Sequence, residues 1–242
     1  MAEQPIRRAS LVDEIVSRVQ KEILDGRWVP GQALPPEREL AERWGVNRTS
    51  LKYALVRMEE VGLIRTKHGV GSIVQDVARD GGADLLKYLV GPEEQPDLLF
   101  LREILESRVY IAGAFAALAA RRRTKKDIVE LTGILDELAR NVAVPGEAQR
   151  MENLFMRALA RAGQNRVFVF VTNSVSAAYK LDLATYAEPF RDGEWLEREL
   201  RSILAAVVEG DEATARYATE EYFQECARRV LARAKQDKRR SG

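Results

Sequence analysis

The sequence is poor in the residue types that build disulfides and histidine-dependent sites. Its 242 residues include one cysteine, Cys226, and one histidine, His68. A single thiol cannot form a disulfide within the chain, and a free cysteine is typical of a reducing compartment. We therefore expect a cytoplasmic protein without a metal centre or a histidine-based catalytic site.

Long hydrophobic runs and an excess of one charge are also missing. The longest apolar stretch, 109–120, is shorter than the roughly 20 residues that span a bilayer, and the first ten residues do not form an apolar signal core. We therefore expect no membrane partner. The formal net charge is only +1, so a nucleic-acid interface has to come from a local basic patch.

Sequence motifs for catalysis are absent as well. The chain has no Gly-x-Ser-x-Gly nucleophile motif and no phosphate-binding loop. The carboxylate pair Glu220-Glu221 falls on a helix that is predicted to be exposed, which favours solvated surface over acid–base chemistry. We expect a protein that is not an enzyme and needs no cofactor.

The first 75 residues predict a small helical domain with a hairpin. Helices are predicted at 10–26, where Ser10 begins a capping box, at 36–44, and after Asn47. The third helix should bury four apolar side chains at helical spacing: Leu51, Ala54, Leu55 and Met58. Two short strands, 63–67 and 72–74, flank the glycine-rich tip 68–71. This order predicts a winged helix-turn-helix over residues 1–75.

The remainder is predicted to be entirely helical. The segment 76–83 is polar and glycine-rich, which indicates a linker, and 84–242 forms the second domain. Seven helices are predicted, near 83–90, 96–122, 124–142, 147–163, 166–186, 194–209 and 211–236. The fold class is therefore mainly α: a winged helix-turn-helix with a small β-hairpin, followed by an all-α helical bundle.

The residues best suited to read DNA lie on the third helix. Between positions 43 and 72 there are six basic and two acidic residues, and basic side chains favour DNA because phosphate contacts release counterions. Arg48, Thr49 and Ser50 occupy the first turn, the part that a recognition helix presents to base edges, and Lys52 lies on the flank. The alternative is a solvated surface helix.

The hairpin tip is a second candidate contact. Gly69 beside His68 allows close approach to a groove, although an exposed loop histidine without a partner is the alternative. The basic tail, 228–240, is interpreted as a solvated helix end.

The stretch LPPERELAERWGVNRTSLKYALVRMEEVGLIRTKHGVGSIV closely resembles the DNA-binding domain of GntR-family regulators. This resemblance implies contacts to double-stranded DNA from eight residues: Arg38, Asn47, Arg48, Thr49, Ser50, Lys52, His68 and Gly69. Lys52 stands where arginine is more usual, which keeps a phosphate contact and weakens a bidentate one. We expect a homodimer that places two recognition helices on a palindromic operator.

The second domain resembles the FadR-type effector domain, beginning at Arg102-x-x-Leu105-Glu106. Many domains of this type bind a metal ion through an aspartate and three histidines. The resemblance places Glu152, Met156, Leu200 and Tyr222 at those positions. Methionine and leucine cannot replace imidazole, so the resemblance implies that the metal site is lost.

The effector is then expected to be a small molecule bound without metal. Asn173, Tyr179, Tyr186 and Tyr222 follow FadR-like spacing, which implies a long-chain fatty acyl-CoA or a related lipophilic ligand. The alternative for the tyrosines is helix packing. Arg102 could instead clamp a small carboxylate, or form an ion pair with Glu106. A more remote alternative is an architectural DNA-binding protein with no effector.

Overall fold

The computed structural model describes residues 11–24, 26–81, 98–179 and 186–241. The chain divides into two compact units, Met1–Leu89 and Val90–Gly242. Both consist mainly of helices, and a single hairpin lies in the first unit among the described residues. The predicted fold class is confirmed.

The first unit has the element order that the sequence predicts. Its described elements are α1 (Leu11–Leu24), α2 (Glu37–Trp44), α3 (Arg48–Glu60), β1 (Ile64–Lys67), β2 (Gly71–Val74) and α4 (Val77–Asp80). Gly45 ends α2 in the left-handed conformation at φ 65°, which glycine adopts without steric cost. The predicted Ser10 cap lies outside the described residues.

The wing is an antiparallel hairpin extended by a third stretch of chain. β1 pairs with β2 from Ile64 opposite Val74 to Lys67 opposite Gly71. On its other side β2 meets Ala33, and Leu34 donates its N–H to the Ser72 carbonyl at 2.8 Å. Both edges of β2 are therefore paired, which fixes the base of the wing.

The core of the first unit joins the three helices to the wing. The predicted inner face of α3, Leu51, Ala54, Leu55 and Met58, is buried. These side chains pack with residues of α1, α2 and the wing, among them Ile15, Val19, Leu40, Leu63, Ile64 and Val74.

The segment predicted to be a linker, 76–83, begins with a turn of helix instead. In α4 the N–H of Asp80 donates to the Asp76 carbonyl at 2.7 Å, and the N–H of Gly81 donates to the Val77 carbonyl at 3.1 Å. Val77 packs against the core of the first unit, and this apolar contact explains why the segment forms a helical turn. Residues 82–97, with the predicted helix 83–90, lie outside the described part.

The second unit is an all-helical bundle. Its described elements are α5 (Leu98–Arg122), α6 (Lys125–Asn141), α7 (Pro145–Ala162), α8 (Arg166–Tyr179), a 3₁₀ helix (Glu188–Arg191), α9 (Gly193–Glu209) and α10 (Glu212–Ser241). The helix predicted to run to 186 differs at its end, because Tyr186 lies in a turn before the 3₁₀ helix, where Pro189 disfavours a continuous α-helix.

The main core of the second unit is built from α5, α6, α7, α9 and α10. Its largest fully buried side chains include Phe155, Leu131, Leu135, Leu138 and Tyr222. The most extensive helix packing in the described residues is between α5 and α10. Among the described helices, we find none with the length and apolar character needed to cross a membrane.

Candidate functional site

The first turn of α3 combines a strong cap with exposed polar side chains. Asn47 caps the helix, since its Oδ1 accepts the N–H of Ser50 at 2.7 Å. Arg48 and Thr49 follow directly and are exposed, while Ser50 is half-buried. The cap holds the backbone of this turn in place and leaves the two side chains free to point away from the core.

The outer face of α3 continues from this turn. Lys52 is exposed and Tyr53 retains 63% of its accessible surface, whereas the opposite face is buried. Thr49, Lys52 and Tyr53 therefore lie on the solvent-exposed side of α3. An exposed helix face that begins with an arginine and carries a lysine one turn later suits a negatively charged groove.

The wing presents its tip to solvent in a tight turn. The N–H of Val70 donates to the Lys67 carbonyl at 3.0 Å, and Gly69 adopts φ 75°. An L side chain is strained in this left-handed conformation, so the turn favours glycine here. His68 and Gly69 are both exposed.

A carboxylate joins α3 to the wing, a contact that the sequence analysis missed. Glu59 Oε1 accepts the backbone N–H of Thr66 at 2.7 Å, and its Oε2 accepts the Thr66 hydroxyl at 2.8 Å. The two bonds link the last turn of α3 to β1. A signal was present in the sequence, because Glu59 and its neighbour Glu60 are the two acidic residues in a predominantly basic segment.

Two other arginines near this surface are engaged with carboxylates. Arg57, which contributes to the basic patch in the sequence, forms an ion pair with Asp13 and so connects α3 to α1. Arg38 is exposed on α2 and lies 3.7 Å from Glu42 in an i,i+4 pair. The surface pair is weak, so Arg38 can exchange Glu42 for a phosphate at little cost.

The second unit holds a buried polar cluster on three helices. The Glu152 side chain of α7 is fully buried, and its Oε1 lies 3.0 Å from Arg108 Nη2 of α5. The Tyr222 hydroxyl of α10 donates to the same oxygen at 3.4 Å. The other oxygen, Oε2, is buried and accepts no hydrogen bond from the described residues.

Aromatic rings surround this cluster. The Arg108 guanidinium lies 4.5 Å from the centroid of the Phe223 ring, and the Trp195 and Tyr222 rings stack with centroids 5.5 Å apart. Arg229 covers the Trp195 ring, with its guanidinium carbon 3.8 Å from the centroid. Both arginines are placed where a cation is attracted to an aromatic face.

Burial shapes the protonation of the cluster. The pKa of Glu152 is raised overall, because loss of solvent outweighs the positive charge of Arg108 and the Tyr222 hydrogen bond, which both lower it. Burial also raises the pKa of Tyr222 well above its ordinary value. The neighbouring thiol of Cys226 has its pKa raised to about 12, again chiefly by burial.

The four positions that the family resemblance assigns to a metal site do not fit a metal in this chain. Glu152 and Tyr222 are brought together, and the buried Leu200 and half-buried Met156 belong to the same hydrophobic core. This set offers one carboxylate, one phenol, one thioether and no imidazole, which is a poor donor set for a zinc-type ion. The described residues contain no group of three or more His, Cys, Asp or Glu side chains with metal-binding geometry.

The other predicted effector residues that the structure describes differ in their burial. Arg102, for which a carboxylate clamp and an ion pair with Glu106 are the two interpretations, is exposed, and Asn173 is exposed on α8. Tyr186 is buried in a second apolar cluster with Leu101 and Leu105. Tyr179 is the last described residue of α8, and its side chain lies outside the described part of the chain.

Arg108 is the residue that sequence reasoning missed in this unit. The inner face of α5 carries Leu101, Leu105 and Ala112, and Arg108 continues that stripe at helical spacing. A charged residue within an apolar stripe is the signal that could have found it, because buried arginines are paired.

The family comparisons match both units. Residues 11–74 match the family described as bacterial regulatory proteins of the gntR family, and residues 103–225 match the FCD domain. The family matches therefore fall on the winged unit and on the bundle that contains Arg108, Glu152 and Tyr222.

Individual relatives cover most of the chain. An HTH-type transcriptional regulator of Mycobacterium tuberculosis is 33% identical over 94% of this chain and 93% of its own length. The fatty acid metabolism regulator protein of Pasteurella multocida is 30% identical over 77% of each chain. The solved structure of Lar, which controls expression of the Listeria monocytogenes agr system, has a TM-score of 0.57 at 19% identity, covering 93% of this chain and 98% of Lar. The likeness to Lar concerns the fold.

Proposed function

Because this chain belongs to the GntR family of bacterial regulatory proteins and carries an FCD effector domain, we propose that it controls transcription by binding an operator through the first turn of α3 and the wing tip. The observation that carries the proposal is the capped turn at Asn47, which leaves Arg48 and Thr49 exposed. In this role the protein works in the cytoplasm and catalyses no reaction.

The side chains have different tasks in this proposal. Arg48 reads a base edge, with guanine as the preferred partner, because a guanidinium can pair with it bidentately. Thr49, Ser50, Lys52 and Arg38 contact phosphates or bases at the rim of the major groove, and Asn47 holds the turn. His68 and Gly69 bring the wing to the adjacent groove. A homodimer places two such surfaces on a palindromic site.

Fluorescence anisotropy with a labelled operator tests the DNA interface. Arg48→Ala should weaken specific binding by about 1–3 kcal/mol and relax discrimination at one base position, whereas His68→Ala should cost less. Arg79→Ala is the matched control, because Arg79 is an exposed arginine of the same unit outside α3 and the wing. Equal affinities for Arg48→Ala and wild type at physiological salt would refute the assignment of α3.

We further propose that the effector is a fatty acyl-CoA or a related lipophilic molecule that weakens operator binding. Support comes from the similarity to a regulator named for fatty acid metabolism and from the apolar cluster of Tyr186, Leu101, Leu105 and Val230, which is separate from the main core. Burial of an acyl chain contributes about 0.8 kcal/mol per methylene, so a long chain binds more tightly than a short one. Asn173, Tyr179 and Tyr222 are the further candidate contacts.

Titration of the operator complex with C8, C12 and C16 acyl-CoAs tests this effector. We expect release of DNA at lower concentration as the chain lengthens, through a coupling of about 1–3 kcal/mol. The competing ligand is a small carboxylate held by Arg102, for which Arg102→Ala would abolish the response and chain length would not matter. A flat response across the three lengths would refute the acyl effector and leave the DNA interface standing.

A further inference from the structure

The carboxyl group of Glu152 is enclosed in an apolar core, and such a group needs a fixed cation or a proton. Its side chain is 0% exposed, and Phe155 and Leu200 of the core that contains its partner Tyr222 are also fully buried. An isolated buried carboxylate is costly, because the interior solvates charge poorly. The Tyr222 hydroxyl donates one hydrogen bond to it but brings no charge.

Arg108 is positioned to supply that charge. Its Nη2 lies 3.0 Å from Glu152 Oε1, although 44 residues separate the two in sequence. The guanidinium is held from a second side by the Phe223 ring at 4.5 Å, and its side chain is only 20% exposed. A guanidinium keeps its charge at every relevant pH and tolerates partial burial better than an ammonium group.

We propose that Arg108 is the built-in cation of the effector domain, and that it supplies beside Glu152 the positive charge that the family resemblance assigns to a metal ion. The side chains at the four positions support this role of Arg108. Met156 and Leu200 bring no imidazole, while Glu152 retains a carboxylate that needs a positive charge. The pair also joins α5 to α7, and Tyr222 adds α10, so three helices are held at one point.

A direct consequence is independence from divalent ions. The helical unit folds without added metal, and its response to the effector needs none either. Only the claim about the effector rests on the proposed function. Stability and metal content are therefore measured on the full chain without DNA or acyl-CoA, so that this inference and the proposed effector can fail separately.

A double-mutant cycle between Arg108 and Glu152 tests the inference by thermal unfolding. Arg108→Met keeps the length of the side chain and removes the charge, and it should lower Tm by about 5–10 °C because the carboxyl group is left buried without its cation. Adding Glu152→Gln should recover at least half of that loss. Arg108→Lys retains a charge and should lose less than Arg108→Met.

Arg229→Met is the matched control. Arg229 is also a half-buried arginine of this unit, stacked on Trp195 and paired with Glu225 at 2.7 Å. Its loss should add to that of Glu152→Gln without compensation. If the decreases in Tm caused by Arg108→Met and Glu152→Gln are also additive, the inference is overturned. If Arg108→Met does not fold, the cycle is run with Arg108→Lys, where compensation by Glu152→Gln is again the expected result.

Metal analysis tests separately whether the helical unit needs a divalent ion in addition to Arg108. Wild-type protein purified in the presence of zinc, nickel and manganese salts should carry no stoichiometric ion, and neither excess EDTA nor re-addition of the metals should shift Tm. One tightly bound divalent ion per chain, with a lower Tm after chelation, would overturn the role assigned to Arg108.

Discussion

Asn47 shows how one residue can order the proposed DNA-binding surface through the backbone of its own turn. Its side chain accepts the Ser50 N–H at 2.7 Å and so orders the turn that carries Arg48 and Thr49. Asn47→Ala should destabilise the winged unit by about 1 kcal/mol and reduce operator affinity, because the exposed turn frays. Urea denaturation and anisotropy measure the two effects. Asn47→Ser retains an acceptor and should stay close to wild type; equal losses for the serine and alanine variants would contradict the cap.

At the scale of single residues, the sequence predicts burial well and pairing poorly. The inner face of α3 follows from helical spacing, because a 3.6-residue period places Leu51, Leu55 and Met58 on one side. Arg108 and Glu152 meet only through the packing of α5 against α7, and no local pattern encodes that contact. Arg102, a candidate carboxylate clamp in the sequence, is exposed, while Arg108 is half-buried.

The wing and α3 can contact one operator together only if their relative position is fixed. Glu59 accepts both the N–H and the hydroxyl of Thr66, which ties β1 to the last turn of α3. Glu59→Ala should reduce operator affinity by roughly 3- to 10-fold, on the scale of one or two hydrogen bonds, while non-specific DNA binding stays the same or rises because a negative charge is lost. Anisotropy with operator and random duplexes measures both.

Two conservative variants separate the link from the charge of Glu59. Glu59→Gln keeps an acceptor for the Thr66 N–H and should preserve operator specificity, whereas Thr66→Val removes only the hydroxyl bond and should have an intermediate effect. Glu60→Ala is a charge-matched control, because Glu60 is the neighbouring exposed carboxylate on α3. If Glu60→Ala changes the specificity ratio as much as Glu59→Ala, charge and not position accounts for the effect.

At the scale of elements, local signals in the sequence were sufficient for most helices and for the hairpin. Capping residues, glycine stops and the Gly69 turn are local, and the predicted boundaries of α2, α3 and the strands lie within a residue or two of the observed ones. The helical turn α4 was missed because its order depends on Val77 packing against a distant core, while its composition is typical of a linker.

For the whole molecule, the near-zero net charge allows local contacts with phosphates to be distinguished from long-range attraction to DNA. Since the formal charge is +1, long-range attraction is weak, and salt dependence should come from the few basic groups at the interface. Lys52→Ala should reduce the slope of log K against log salt by about one if Lys52 contacts a phosphate. Removing the exposed Lys125 of the second unit is the control and should leave the slope unchanged. An unchanged slope for Lys52→Ala would exclude that phosphate contact.

The single cysteine offers a measure of how tightly the helical unit is closed. Cys226 is 4% exposed, and burial raises the pKa of its thiol from 9.0 to about 12. A raised pKa in the folded state favours the protonated thiol. The contribution of this shift to the free energy of unfolding is therefore complete below pH 9.0, and it is lost as the pH rises from 9.0 to about 12. At pH 8 the native thiol is therefore both shielded and protonated.

Thiol reagents should label native protein only through opening of the unit, orders of magnitude more slowly than they label urea-unfolded protein. Because Arg108 and Glu152 lie against the same core, Arg108→Met should accelerate labelling and Arg229→Met should do so less. Rapid labelling of the wild-type native state would contradict the burial of Cys226 and the closed core around Glu152.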